Sequence, residues 1–168
     1  GYTAPDGSLF VLDMYRGVIQ HSTYLTEYLQ RQIAMRDLDR PLGLGRIYRI
    51  RWNDAPLGPT PRLSEATDET LVSHLAHPNG WWRDTAQRLL IERNATGMQA
   101  PLEALVVGAK DARVRVHALW TLEGLDLVTP YTLQQAAAAT HPMVRSAAAR
   151  VAAAVGGQVA LEVLRGMR

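Results

Sequence analysis

Residues 77–93, HPNGWWRDTAQRLLIER, decide the fold because two later stretches of the chain repeat their pattern. Their arginine recurs after 32 and then 30 residues, and their alanine recurs at the same two spacings. A leucine before them recurs twice at intervals of 31 residues. The recurring positions are Arg83, Arg115 and Arg145; Ala86, Ala118 and Ala148; and Leu71, Leu102 and Leu133. A period near 30 residues, with helical spacing inside each copy, predicts an α-solenoid of helical hairpins.

Each copy predicts a first helix, a turn and a second helix. The first helices are expected at about 67–76, 101–108 and 130–139, and the second helices at about 82–93, 113–124 and 144–155. His77-Pro78 and His141-Pro142 are expected to end first helices, because a residue before proline is pushed out of the helical region, and Asp111-Ala112 takes that place in the middle copy. The repeats are therefore placed at about 65–98, 99–127 and 128–156, with a truncated fourth at 157–168.

The first third of the chain follows a different pattern, typical of strands. An apolar strand is expected at 9–13, after the turn signal Pro5-Asp6-Gly7. Residues 46–52 alternate strongly and predict the best strand of the chain, and 17–19 predict a short extended piece. Between them, 23–36 predict a helix capped by Ser22 or Thr23.

The proline-rich segment 53–64 predicts a linker between two domains. Residues 1–52 are expected to be the incomplete C-terminal end of a β domain, and 65–168 a helical domain. The sequence begins within a turn-and-strand pattern and ends within a helical one. We therefore expect a segment of a longer protein that does not catalyse a reaction by itself.

Composition excludes several classes of function. Eighteen Lys and Arg residues against 16 Asp and Glu residues give a formal net charge of +2, too weak to indicate nucleic-acid binding. The sequence has no cysteine, which removes disulfides, thiolate chemistry and Cys-ligated metal from this segment. No apolar run approaches the ~20 residues of a membrane-spanning helix.

Two families resemble the two parts of the chain. Residues 2–52 resemble the last blade of the six-bladed β-propeller in sorbosone and glucose dehydrogenase-like proteins, above all the membrane-bound dehydrogenase group of planctomycetes and related bacteria. The matching stretches are DGSLFVLDMY at 6–15, IQH at 19–21, RDLDR at 36–40 and GRIYRI at 45–50. Residues 65–168 resemble HEAT repeats in their helical pairs, the Asp or Pro of the turn, and the arginine early in the second helix.

The resemblance implies an exported dehydrogenase at the periplasm or cell surface. It would oxidise a sugar or alcohol with pyrroloquinoline quinone and pass electrons to a cytochrome c domain carrying haem c beyond this segment. Its partners would be the missing propeller blades, that cytochrome domain, and a protein docked on the HEAT surface. The HEAT part would act as spacer or docking platform. The alternative is a non-catalytic scaffold or adhesion protein that uses both surfaces for protein binding.

Four residues at and after the end of the first long strand are candidates for the site. Arg16, with Tyr15 beside it, could bind the carboxylates of a quinone cofactor, and His21 or Asp13 could accept the proton of an alcohol. The structural alternative is that Asp13 and His21 cap turns. Both interpretations are open at this point.

Other polar residues are expected to be structural. The alternating charges of Arg36, Asp37, Asp39, Arg40 and Arg46 could orient a ligand, but the favoured prediction is an ion-pair network that holds this insertion on the blade. His74 and His77 have a spacing that can share a metal, but three or four ligands are needed and no third is evident. Trp82 is expected in the core, and His117 at a packed or partly exposed core position. The recurring arginines are expected to bond the turn of the neighbouring repeat.

Overall fold

The computed structural model describes residues 1–40, 42–54 and 56–166, without the side chain of Val159, and divides the chain into two compact units. Gly1–Pro59 contains a small antiparallel sheet and one helix, and Thr60–Arg168 is helical. The prediction of a mixed, mainly α chain is therefore confirmed. The division falls within the proline-rich segment 53–64. None of the described helices is both long and apolar enough to cross a membrane.

The sheet of the first unit has three antiparallel strands paired in chain order. They are Tyr2–Thr3 (β1), Leu9–Asp13 (β2) and Arg46–Ile50 (β3). In the register of β2 and β3, Leu9 lies opposite Ile50, and Asp13 opposite Arg46. The strand predicted at 46–52 is thus present but ends at Ile50, whereas the piece predicted at 17–19 forms no strand.

A polar cluster joins the β1–β2 turn to β3. The Asp6 Oδ1 atom accepts hydrogen bonds from the Ser8 amide at 2.9 Å and the Ser8 hydroxyl at 2.6 Å. The Arg49 guanidinium forms an ion pair with Asp6 and donates from Nε to Ser8 Oγ at 3.2 Å. The hydrogen bonds from Ser8, and then the Arg49 charge, lower the pKa of Asp6. Because Ser8 is buried, this cluster fixes the turn on the sheet.

The first unit has almost no hydrophobic core of its own. Within its described residues only Ala4 and Ser8 are buried, and all five residues of β3 are exposed. Ile47 is 72% exposed and Tyr48 44%, although they alternate between the two faces of the strand. Apolar side chains therefore remain exposed on both faces of this sheet, although Phe10 and Val11 are partly covered.

The helix predicted at 23–36 begins later than expected. A short 3₁₀ turn at Ser22–Tyr24 comes first, and helix α1 spans Glu27–Met35. Thr26 is the N-cap, because its hydroxyl accepts from the Leu29 amide at 3.4 Å. The proposal that Ser22 or Thr23 caps α1 was wrong, since Leu25 has extended backbone angles that separate the two helical turns.

The second unit consists of helical pairs at the predicted positions. The first members of the pairs are Asp68–His74 (α2), Gln99–Gly108 (α4), Pro130–Ala137 (α6) and Gly157–Gly166 (α8). The second members are Gly80–Glu92 (α3), Ala112–Gly124 (α5) and Pro142–Val155 (α7). Helix α3 packs on α5 and α5 on α7, while α4 packs on α6 and α6 on α8.

The His-Pro steps do not end the first helices as expected. His141 is the N-cap of α7: its Nδ1 atom accepts from the Met143 amide at 3.2 Å, and Pro142 takes the first helical position, where no amide hydrogen is needed. Asp111 caps α5 in the same way. In the first copy the equivalent cap is Asn79, so His77-Pro78 lies two residues out of register with His141-Pro142.

The recurring alanines lie at the helix contacts. Ala86, Ala118 and Ala148 are completely buried in one core. A methyl group at these positions lets the second helices of adjacent pairs approach closely.

The recurring arginines bond a different partner from the one predicted. Each donates to backbone carbonyls within its own pair. Arg83 donates to His77 and Pro78, and Arg145 to Ala139 and Thr140, in the turns between the two helices, whereas Arg115 donates to Val106 in the last turn of α4. Carbonyls in such turns and in the last turn of a helix lack intrahelical partners, so the nearest guanidinium satisfies them.

Candidate functional site

An open cavity of ≈ 690 Å³ lies in the first unit, beside the end of β2. One wall is the chain that leaves β2, and the other is the turn that follows α1. The lining residues are Leu12, Asp13, Met14, Tyr15, Arg16, Gly17, Ile19, Arg36, Asp37 and Leu38. Three of the four candidates from the sequence, Asp13, Tyr15 and Arg16, are therefore brought together.

The carboxylate of Asp13 shapes the wall that follows β2. Its Oδ1 atom accepts from the Tyr15 amide at 2.9 Å, which closes a turn directly after the strand. Tyr15 has a φ of 44°, in the left-handed region that a bulky side chain rarely adopts. Asp13 therefore caps a turn, which is the structural alternative considered for it, and its Oδ1 atom makes the capping hydrogen bond.

The Tyr15 ring lies under a guanidinium from β3. The Arg46 Cζ atom is 4.1 Å from the centre of the Tyr15 ring and 5.8 Å from that of Tyr48. Such a cation–π contact stabilises both groups and fixes the ring at the edge of the cavity. Arg46 therefore supports the wall and does not belong to the predicted ion-pair network.

Only one pair of the predicted network forms within the described residues. Arg40 Nε lies 3.4 Å from Asp37 Oδ1, and both side chains are exposed. Arg36 and Arg16 have no ion-pair partner in the described part of the chain, and both line the cavity. The network prediction was therefore largely wrong, and two guanidinium groups remain available to a ligand.

Gly17 and Leu38 hold the two walls together. A Cβ atom at Gly17 would lie 2.6 Å from the Leu38 carbonyl oxygen and 2.8 Å from the Leu38 Cβ. Only glycine permits this approach, so the width of the cavity depends on it. The sequence did not predict this contact, and Gly17 was not among the candidate residues. No local sequence pattern at Gly17 or Leu38 indicates that the two segments touch.

His21 is not among the residues that line the cavity. It is the N-cap of the Ser22–Tyr24 turn, with Nδ1 accepting from the Thr23 amide at 3.2 Å, and its ring packs edge-on against Tyr24. His21 therefore has the geometry of a turn cap, the structural alternative considered for it.

The second unit contains no comparable site within its described residues. No group of three or more potential metal ligands occurs in the described part of the chain. His74 and His77 instead pack against Trp82, with ring centres 5.0 and 4.9 Å away. Burial, together with the nearby His77, lowers the pKa of His74. Trp82 is buried, as predicted.

A family match covers most of the first unit. Residues 2–54 match a family described as a domain of unknown function, DUF7133. The match includes the sheet, α1 and every residue of the cavity lining. No curated protein matches the chain.

Proposed function

We propose that this chain is part of an exported propeller-type dehydrogenase that oxidises a sugar or alcohol and passes electrons to a cytochrome c. In this proposal residues 1–52 are the closing blade of the propeller, in a protein resembling sorbosone dehydrogenase. The observation that carries the proposal is the cavity, which gathers Asp13, Tyr15 and Arg16 where β2 ends. Loops at strand ends on a rigid sheet are common locations of binding sites.

The uncovered sheet supports the propeller part of the proposal. Apolar side chains of both faces are exposed, including Leu12, Ile47 and Ile50 at 59%, 72% and 56%. A three-stranded sheet in water needs at least one face packed on other structure. Adjacent blades of a propeller would supply such packing.

The helical pairs support the HEAT part. Second helices pack on second helices, α4 packs on α6 and α6 on α8, and the recurring alanines are completely buried. This is the nearest-neighbour stacking that a solenoid requires. We propose that this solenoid serves as a spacer or docking platform between the catalytic and haem-bearing parts of the longer protein.

The cavity offers guanidinium groups and volume for pyrroloquinoline quinone, although its lining also includes the carboxylates of Asp13 and Asp37. The cofactor carries carboxylates, and Arg16 and Arg36 offer guanidinium groups without ion-pair partners in the described residues. The volume of ≈ 690 Å³ lies in the range of small-molecule sites. When bound, such a quinone accepts two electrons from the alcohol. In this arrangement Arg16 and Arg36 would hold the anion, and Tyr15 would flank it.

The test uses the longer protein that the proposal implies, titrated with the quinone and assayed for dye-linked oxidation. Arg16→Lys should weaken cofactor binding, because lysine cannot form the bidentate contact. Arg31→Lys, on the exposed surface of α1 and away from the cavity, is the matched control. His21→Ala should leave turnover unchanged, since His21 does not line the cavity. Equal cofactor affinity in the Arg16 and Arg31 variants would contradict a cofactor role for the cavity.

The exposed apolar surface also favours the alternative, a scaffold or adhesion protein that binds other proteins through both units. A dry apolar face is what a protein partner would cover. The quinone titration and the oxidation assay on the same longer protein distinguish the two proposals. A scaffold would bind no quinone and show no dye-linked oxidation with any sugar or alcohol, while keeping its fold.

A further inference from the structure

The ring of His117 connects two helical pairs through three polar groups of α3. Its Nδ1 atom lies 2.8 Å from Gln87 Oε1, and its Nε2 atom lies 3.3 Å from Arg83 Nε. The Asp84 carboxylate is 3.9 Å from the same Nε2. Since the His117 side chain is only 17% exposed, these contacts form most of its polar environment.

The arginine determines which tautomer His117 adopts. A guanidinium Nε carries a hydrogen and can only donate, so Nε2 of His117 must accept and must be unprotonated. The hydrogen of the neutral ring is therefore on Nδ1, from which it is donated to Gln87 Oε1. Both bonds exist together only while the imidazole is neutral.

Arg83 also holds the turn at the start of α3. Its Nη1 atom donates to the carbonyls of His77 at 2.7 Å and Pro78 at 2.8 Å. Arg145 holds its turn in the same way, and Arg115 bonds Val106 in the last turn of α4, but the repeat positions equivalent to His117 are Thr85 and Ala147. Among the described helical pairs, the α3–α5 contact is therefore the one in which a titratable side chain, His117, bonds the recurring arginine, Arg83.

We propose that His117 is a proton-operated latch between α3 and α5. Its neutral ring accepts from Arg83, and its protonated ring releases Arg83 and binds Asp84 instead. The proton is added to the lone pair of Nε2, so the bond from Arg83 Nε loses its acceptor and two cations face each other. The new Nε2–H group can then donate to the Asp84 carboxylate. No other bond forms or breaks.

The surroundings of the ring place this exchange below neutral pH. Burial lowers the pKa of His117 from its ordinary value of 6.5, the Asp84 charge opposes that effect, and the Arg83 charge adds to it. Both charged groups belong to α3. On its own helix, Arg113 is paired with Asp111, and α7 on the other side places Ala147 at the equivalent position.

The effect on stability has a definite sign. Because the pKa is lower in the folded chain, the unfolded chain binds this proton more readily. The contribution of His117 to stability is therefore complete above pH 6.5 and declines as the pH falls towards the folded-state pKa.

The test is an NMR pH titration of the full chain that follows the His117 ring nitrogens and the Arg83 Nε–H signal. Above the transition, the proton should be on Nδ1 and the Arg83 Nε–H should be protected from exchange. Below it, that protection should fall at least tenfold. The midpoint should lie below pH 6.5, and Asp84→Asn should move it lower still because a favourable charge is lost.

Two variants make the test decisive. His117→Gln keeps an acceptor near Nε2 at every pH, so it should abolish the change at Arg83. His74→Gln removes another partly buried histidine and should leave the change intact. The proposal is overturned by a proton on Nε2 at neutral pH, by Arg83 protection that does not change with pH, or by an undiminished transition in His117→Gln.

Discussion

At the scale of single residues, one arginine determines how the chain enters the helical unit. The Arg93 guanidinium, after the end of α3, donates to three backbone carbonyls and approaches the Asp68 carboxylate at 3.2 Å. The carbonyls belong to Leu63, Ser64 and Ala66, at distances of 3.2, 2.8 and 2.6 Å. The planar fork of one guanidinium thus bonds the short 3₁₀ turn Leu63–Glu65 and the residue after it to the end of α3.

Arg93→Ala should therefore destabilise the chain by about 1–3 kcal/mol, because three backbone carbonyls and the Asp68 carboxylate lose a charged donor. Arg88→Ala is the control, since it removes only an exposed pair with Glu92 and should cost about 0–1 kcal/mol. Urea unfolding of both variants measures the difference. If Arg93→Ala and Arg88→Ala lower the free energy of unfolding by the same amount, the turn does not depend on Arg93.

Ala118→Leu should also destabilise the chain, by about 1–3 kcal/mol through overpacking. Ala118 is completely buried at the contact between α3, α5 and α7, where added methyl groups have no space. Ala104→Leu, on the exposed side of α4, is the matched control and should leave the thermal midpoint nearly unchanged. A midpoint for Ala118→Leu equal to that of the wild type would contradict the packing.

Gly17→Ala should alter the cavity without changing any of its charges. The added methyl group would overlap the Leu38 backbone, so the two walls must separate. Gly43→Ala is a comparison at an open position, although its φ of 71° adds strain of its own. In the longer protein, Gly17→Ala should weaken quinone binding more than Gly43→Ala. The reverse order would show that the approach of the two walls does not determine binding.

At the scale of helices, a residue at the same repeat position caps the N-terminus of the second helix in each of the three pairs. Asn79, Asp111 and His141 accept the amide hydrogen two residues along, at 2.9, 2.8 and 3.2 Å. Asp111 also forms an ion pair with Arg113, and the hydrogen bonds from Arg113 lower the pKa of Asp111 to about 2. The three caps differ in chemistry, so they respond differently to pH.

Asp111→Asn should isolate the ionic part of this cap. The lowered pKa means that ionised Asp111 stabilises the folded chain above its ordinary pKa of 3.8, and this stabilisation is lost as the pH falls to about 2. The variant should be less stable than the wild type at pH 7, and the difference should disappear in strong acid. Thermal melts across that range measure it, and a difference that does not depend on pH would contradict the assignment.

The helices could be predicted from the sequence because apolar periodicity is local, and the bounds of α4 to α7 fall within about two residues of those expected. The cap of α7 could not be predicted from the His141-Pro142 step. Proline disfavours a helical residue before it, but it also suits the first position of a helix, so the step fits both a helix end and a helix start. Asp13, Tyr15 and Arg16 were predicted because they follow a strand. Arg36 and Asp37 were considered as ligand-orienting charges, but their place opposite Asp13 to Arg16 was not predicted, because the approach of Leu38 to Gly17 is tertiary and leaves no local pattern.

At the scale of the whole molecule, the two units differ in what stabilises them. The helical unit buries a continuous core of leucine, valine and alanine side chains. The sheet unit is held by strand pairing, the Asp6–Arg49 cluster and the walls of the cavity, while most of its large apolar side chains remain exposed. Hydrophobic burial is the dominant favourable term in folding, so the helical unit has a source of stability that the sheet unit lacks.

Separating the units should therefore give opposite results. A chain of residues 60–168 should fold by itself, with a helical far-UV circular dichroism spectrum and a cooperative melt, because its contacts are between neighbouring pairs. A chain of residues 1–59 should not, because its sheet presents unpaired edges and uncovered apolar faces. Adding the β segment that completes the proposed propeller should restore its folding. A cooperative β-type melt from residues 1–59 alone would show that the sheet needs no further structure, and the proposal of a propeller blade would then fail.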